Sequence, residues 1–399
     1  MLTGALAAAA TVLFRGLAHG VEWLATGHAA GLVDAARAIA PWQRVVVGTA
    51  GGLLARGPAG DHHLDYIDAA RQGRVDLNDR TTLVRSVSAV LSVGTGASIG
   101  REGPMVQLSA WFAATLARRL PLAPEERKTL LVCGIAAGIG AAYHAPVAGV
   151  VFVLELALGF FVRSAVAPVL IAAATASALM HWFVEPQALY VMPTLALQPT
   201  SLGAALVAGL LFGATGWALL GLLERSRMVF GRIASPVARL GLGGLLVGLL
   251  AAAVPEVWGN GYSVVSAVLR GDLLWQMLAW VLVAKVLATA LSSGSGAIGG
   301  VFTPSLLVGA VAGSLLAQLA VHVLPMAWVG DPRVMAVVGM AAVLAAVTHA
   351  PLMAIVMVME MTNQFQLTLP TMLACGVAHA VSTRFGAKPL YGNPIEARS

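Results

Sequence analysis

The chain has 399 residues, of which 58% are hydrophobic and 11% charged, with a mean hydropathy of +0.84 and a formal net charge of +6. A soluble domain is about 25% charged and has no way to hide so many apolar side chains, so soluble, disordered and fibrous classes are excluded and lipid is the expected solvent. The positive balance suits basic loops at an anionic membrane surface, and the scattered arginines argue against a nucleic-acid partner.

In chain order, the first 25 residues form an Ala-rich apolar stretch with no early basic region. This reads as part of a membrane domain, with a cleaved signal peptide as the alternative. Uncharged runs, His aside, include 129–154, 164–184, 186–223, 240–255, 273–284, 286–330 and 334–359. A helix needs about 20 residues to cross about 30 Å of hydrocarbon. Run 286–330 is too long for one such helix and too short for two with a loop. It carries SSGSGAIGG at 292–300, which predicts helices that stop partway through the bilayer. Bare backbone at that depth must line protein or a water-filled cavity. The charged stretches 61–87, 118–128 and 224–239 read as loops or interfacial helix ends. Cys133 and Cys375 lie in apolar runs and read as small core residues, with no disulfide framework or zinc spacing.

The chain repeats itself. Residues 91–104, LSVGTGASIGREGP, align without a gap to 291–304, LSSGSGAIGGVFTP, so that Leu91, Ser92, Gly94, Gly96, Ala97, Gly100 and Pro104 recur at an offset of 200. Residues 134–155 align to 339–360 at an offset of 205, repeating the His-Ala-Pro triplet and matching Glu155 with Glu360. Both pairs fall in the same order. The expectation is one membrane domain over 1–399, made of repeat one at about 20–195 and repeat two at about 200–392. Gly-interrupted segments at corresponding positions point to a transport site where the repeats meet.

The chemistry lies at those interruptions. Pro104 and Pro304 suit a first helical turn, and flanking glycines let backbone approach a ligand. Two helices starting near these prolines would present free N–H groups to a dehydrated pocket, which binds anions without a lysine. Weak binding by amides and hydroxyls suits rapid flow. Glu102 falls where that pocket prefers negative charge. Its carboxylate can occupy the anion position and vacate it by protonation or by swinging aside. The alternative is a Glu paired with Arg101 at an interface. Ionisable residues at membrane depth point to function.

His144 and His349 precede Ala-Pro in both copies. Metal ligation together with Glu155 and Glu360 is one reading, and capping or packing at a repeated helix junction is the other. Eleven residues separate His from Glu, about 16 Å along one helix, so one helix cannot bring both to one metal. No metal or other cofactor is expected. Gly94-x-Gly96 follows no strand and is not a dinucleotide loop, and no Walker lysine marks a primary pump.

GREGP at 100–104, GVFTP at 300–304, the two HAP segments and KPLY at 388–391 together resemble the CLC family of chloride channels and chloride/proton antiporters, over about residues 45–395. The resemblance implies an all-α polytopic membrane protein, an inverted repeat of two halves with broken membrane helices, and a homodimer with one pore per subunit in the cell (inner) membrane. It implies a transporter rather than an enzyme. Glu102 matches the gating glutamate. Gly103, Val301 and Phe302 fall on the anion-binding backbone, and Tyr391 matches the tyrosine whose hydroxyl points at the anion.

Two departures from the family pattern matter. Leu156 occupies the position of the antiporters' internal, proton-passing glutamate, with Glu155 one place before it. One residue is about 100° of helix rotation, so Glu155 does not simply substitute, and a leucine cannot relay a proton. The family's pore serine is also missing. Counting back 40 residues from Gly100 reaches Gly60-Asp61-His62-His63-Leu64, which leaves Asp61, His62 or a backbone amide at the anion. A bacterial subgroup of voltage-gated-type chloride channels is similar in these respects. The expected function is passive chloride movement, gated at Glu102 by pH and voltage, with chloride the transported ligand and other small anions and protons as further partners. The alternatives are a chloride/proton antiporter using a non-standard path through Glu155, and, from another class, an intramembrane metal enzyme. The sequence runs eight residues past Tyr391, so no C-terminal regulatory domain is expected.

Overall fold

The computed structural model describes residues 1–28, 31–55, 66–158, 163–184, 189–196, 200–323 and 331–392. Seventeen α-helices account for most of them. In the first half these are α1 (Leu2–Thr26), α2 (Leu32–Ala38), α3 (Pro41–Leu54), α4 (Tyr66–Arg71), α5 (Asp79–Gly94), α6 (Glu102–Arg119), α7 (Pro124–Tyr143), α8 (Pro146–Phe152) and α9 (Arg163–Phe183). The second half has α10 (Thr200–Gly231), α11 (Pro236–Ala253), α12 (Tyr262–Arg270), α13 (Trp275–Ser295), α14 (Phe302–Ala320), α15 (Pro332–Thr348), α16 (Pro351–Thr362) and α17 (Thr368–Arg384). Among the described residues six helices are long and apolar enough to cross a membrane. Among the described residues there is no strand, and a single antiparallel bridge joins Gly100 to Gly300.

The chain encodes its helix boundaries locally. Pro stands in the first turn of α3, α7, α8, α11, α15 and α16, where its missing N–H costs nothing. Asn78, Ser235 and Asp331 accept from first-turn amides as N-caps of α5, α11 and α15. The two His-Ala-Pro triplets adopt the same kink. His144 and His349 end their helices in the left-handed conformation (φ 55° and 56°), Ala145 and Ala350 follow with φ −128° and −125°, and the proline opens the next helix. The histidines therefore cap helix C-termini. His349 also faces Ser382, with Nε2 3.3 Å from its Oγ.

Four expectations need refining. Run 129–154 divides at His144 into α7 and α8. The charged stretch 61–87 contains α4 and the opening turns of α5. Lys285, which interrupts the uncharged runs 273–284 and 286–330, marks no boundary, because it sits inside α13 with its side chain buried. The first 25 residues form α1, which packs into the body of the protein: a Cβ on Gly4 would lie 2.5 Å from the Ala172 carbonyl of α9.

The core sits where α14 meets α15. Nearly every residue of α15 is buried, as expected of a helix that is apolar all round. The two backbones touch at Gly309 and Gly339, where a Cβ on either would fall within about 2.3 Å of the other's carbonyl oxygen. Small residues permit this approach, which membrane helices use in place of hydrophobic collapse.

Candidate functional site

Residues Thr95–Arg101 and Gly296–Val301 are the two interruptions foreseen in the duplicated motifs. They run antiparallel at one point: Gly100 N–H donates to the Gly300 carbonyl (2.6 Å), and Gly300 N–H donates to the Gly100 carbonyl (2.8 Å). This pair brings together the N-termini of α6 and α14, which begin at Glu102 and Phe302. Neither N-cap residue, Arg101 or Val301, supplies a side-chain cap. The first-turn amides therefore have no intrahelical acceptor, and the positive ends of both helix dipoles converge.

A pocket of about 10 Å³ lies between the tips, room for about one water-sized sphere. Glu102, Gly103, Phe302 and Tyr391 line it together, with Tyr66 and Tyr143. Val301 lies outside this lining and faces a larger cavity of about 260 Å³. Tyr66, Gly103, Gly300 and Tyr391 belong to both, so the small pocket opens toward the large one past the two tyrosines. Arg85 and Arg227 line the larger cavity, with no carboxylate among its described residues. Glu102 lines the small pocket and not the large cavity.

Glu102 is 6% exposed. Its Oε1 accepts from Asn260 Nδ2 at 2.7 Å, while Oε2 is buried with no hydrogen-bond partner among the described residues. Oε2 hugs Gly100, where a Cβ would lie 2.4 Å away and would push the carboxylate from its place. The alternative pairing with Arg101 is not formed among the described residues. The Tyr143 ring lies tilted against Phe302, centroids 5.1 Å apart, and its hydroxyl lies 3.3 Å from Thr303 Oγ1, tying α7 to the tip of α14.

Tyr391 is held from two sides. Arg71 of α4 donates to the Tyr391 carbonyl at 2.7 Å, and Leu390 N–H donates to the Val347 carbonyl of α15. The same Arg71 donates through Nε to the Leu156 carbonyl at 2.8 Å. Leu156 is buried in a π-turn, Val153–Ala157, that extends α8. Its backbone thus joins the anchor of Tyr391 while its side chain packs in the core.

Glu155 and Glu360 make a reciprocal pair of caps. Glu155 accepts from Leu352 and Met353 N–H (3.3 and 2.7 Å), the opening of α16. Glu360 accepts from Val147 and Ala148 N–H (3.1 and 2.7 Å), the opening of α8. Each repeat's carboxylate caps the helix that follows the other repeat's His-Ala-Pro kink. Among the described residues no group of His, Cys, Asp and Glu has the arrangement of a metal site.

Sequence reasoning missed Tyr66, Asn260 and Lys285. Asp61 and His62 lie outside the described residues. The next described residue in the chain, Tyr66, lines the pocket, and its N–H is held by Gln107 Oε1 at 3.2 Å. No local motif marks Tyr66 or Asn260. Lys285 had a visible signal, a single lysine between two apolar runs.

Two broken-helix halves, a tight pocket at their junction lined by the helix tips, tyrosines and apolar side chains, and a buried carboxylate in its wall define a polytopic membrane transport protein for small anions. The family model for voltage gated chloride channels matches residues 44–383, and the chain belongs to this CLC family. It is 46% identical to a ClcB-like protein of Ralstonia nicotianae (99% of this chain, 95% of that one) and 37% identical to the voltage-gated ClC-type chloride channel ClcB of Salmonella typhimurium (98% and 96%). Among solved structures it is similar to a slow cyanobacterial Cl⁻/H⁺ antiporter (TM-score 0.85, 26% identity, 100% of this chain and 95% of that one). It also resembles a CLC-type fluoride/proton antiporter (TM-score 0.79, 26% identity, 96% and 94%). The protein is thus a multi-pass CLC chloride-transport protein of the cell membrane, with the family's inverted-repeat fold. The family comprises channels and transporters and no enzymes, which sets aside the intramembrane metal enzyme.

Proposed function

We propose that the protein is a passive chloride channel in which Glu102 is the gate. Its carboxylate occupies the anion position between the two helix tips and leaves it on protonation or under voltage. The anion then sits against the amides of Gly103, Val301 and Phe302 and the Tyr391 hydroxyl, with Tyr66 in the pocket wall. The observation that carries this reading is Glu102 Oε2, buried without a hydrogen-bond partner among the described residues where two helix N-termini converge. An unpaired buried acceptor costs about 1–3 kcal/mol, more if charged, and this site offsets the cost with two convergent dipoles. Passive flow is supported by Leu156, which has nothing to pass a proton with, and by Glu155, both of whose oxygens are taken by α16 amides.

The second reading is a chloride/proton antiporter. It is favoured by the activities of the two solved relatives, which span nearly the whole chain. Chloride flux with simultaneous pH recording in vesicles holding the purified protein separates the two. A channel dissipates a chloride gradient without moving protons. Proton uptake in fixed ratio to chloride would instead establish the antiporter. Glu102→Ala is expected to carry chloride at a rate independent of pH, and a strongly pH-gated Glu102→Ala would remove Glu102 from the gate. The working unit is proposed to be a homodimer with one pathway per subunit, which chemical cross-linking in the bilayer would test.

A further inference from the structure

We infer that Asn260, seated by the buried Lys285, is the positioning residue that holds Glu102 in its closed place. The inference rests on the reading of Glu102 as the gate. Asn260 Nδ2 donates to Glu102 Oε1 at 2.7 Å, and Asn260 Oδ1 accepts from Tyr262 N–H at 3.2 Å. An amide side chain has one accepting and one donating end. The backbone of α12 takes the accepting end, so the NH₂ must face the carboxylate. Oε1 is thereby held, and Oε2 is left as the oxygen that receives the proton.

The loop that carries Asn260 is clamped from behind. Lys285 of α13 is wholly buried, and its Nζ donates to the carbonyls of Val257 (3.0 Å) and Gly259 (2.6 Å), on both sides of Trp258. It makes no salt bridge among the described residues, so these loop carbonyls are its ligands. A buried amine is tolerated where its donors find acceptors, and an ionisable residue at membrane depth marks function by default. Trp258, wholly buried, lies flat against Gly96 (φ +93°), where a Cβ would approach the indole to 2.4 Å. Gly96 belongs to the same interruption, Thr95–Arg101, that holds Gly100. The loop is thus fixed to α13 and to the strand-like turn before α6, and Asn260 has little freedom to follow Glu102 when the gate moves.

The charged and titratable groups around Glu102 are few. Tyr66, Tyr143 and Tyr391 line its pocket, and Tyr190 interacts with it electrostatically. Phenols are neutral where a carboxylate titrates. Arg101 precedes Glu102 on its own element, and Lys285 lies behind the loop. An NH₂ donor favours the ionised carboxylate, so losing it lets a proton bind at lower proton concentration.

The test is the pH dependence of chloride flux through the full-length protein in vesicles. Asn260→Ala is expected to raise the pH of half-maximal flux by about one unit, a tenfold lower proton concentration. Asn260→Asp has the size of Asn and keeps an acceptor for Tyr262, so the loop is preserved while the donor is lost. It is expected to shift the profile at least as far in the same direction. Neither substitution should matter in a Glu102→Gln background. Lys285→Met should add nothing further to Asn260→Ala, because both act through one loop. An unshifted profile in both Asn260 variants, with Glu102→Gln flat, would overturn the inference and leave the gate standing. The same shift in the Glu102→Gln background, or an additive Lys285 effect, would also overturn it. A Glu102→Gln protein that still opens with acid would refute the gate itself, and this inference with it.

Discussion

At the scale of single residues, the proposed gate rests on the mismatch between the two oxygens of one carboxylate. Oε1 of Glu102 has a partner and Oε2 has none among the described residues. A fully bonded carboxylate would be a structural plug, and an unbonded one would be too costly to bury. Tyr391 is the complementary case. Its carbonyl is fixed by Arg71 and its neighbour by Val347, so its ring has a set place at the pocket mouth before any ion arrives. Tyr391→Phe keeps the ring against Phe152 and deletes only the hydroxyl. Loss of one hydrogen bond of about 1 kcal/mol predicts a roughly fivefold weaker apparent affinity for chloride. Isothermal titration of purified protein with chloride would measure it, and an unchanged affinity would remove the hydroxyl from the anion's coordination.

At the scale of elements, the reciprocal caps are the least expected feature. Glu155 looks from the sequence like a displaced proton carrier. In the fold it binds the opening amides of α16, and Glu360 binds those of α8. Pro146 and Pro351 remove one donor from each opening, and a carboxylate accepting the next two makes bonds about twice as strong as neutral ones. Glu155→Ala and Glu360→Ala should each destabilise the protein by about 1–2 kcal/mol, read as a lower Tm in detergent. The proton-to-chloride ratio should not change in either. A Glu155 variant with unaltered Tm but altered proton movement would restore it to the proton path. The two HAP kinks place these openings side by side, which is why the same glutamate is needed twice.

At the scale of the whole molecule, charge is distributed for anions. The wide cavity beyond Tyr391 carries Arg85 and Arg227 and no carboxylate among its described lining, and it narrows to the small pocket at the two helix tips. Such a mouth raises the local anion concentration without binding any one ion tightly. Replacing Arg85 and Arg227 by Gln should lower chloride flux several-fold at low ionic strength. The deficit should shrink near 1 M salt, where the Debye length falls to about 3 Å. Flux measured at two ionic strengths with chloride held constant decides this, and a salt-independent deficit would mean that the arginines act by contact.

The amino-acid sequence by itself determined the solvent, the duplication and the points where helices break. Each of these follows from composition or from short runs such as SSGSGAIGG and the two HAP triplets, whose backbone preferences are local. It also singled out Glu102, Phe302 and Tyr391, because their motifs are contiguous. Only the tertiary structure decided what meets what. Asn260 lies 158 residues from Glu102, Arg71 lies 320 from Tyr391, and Glu155 caps a helix 198 residues away. Such pairings leave no local pattern, since a hydrogen bond across the fold asks of each partner only a donor or an acceptor at the right place. Lys285 shows the limit most plainly. A lone lysine in an apolar run reads as a boundary until the carbonyls that satisfy it are brought to its side.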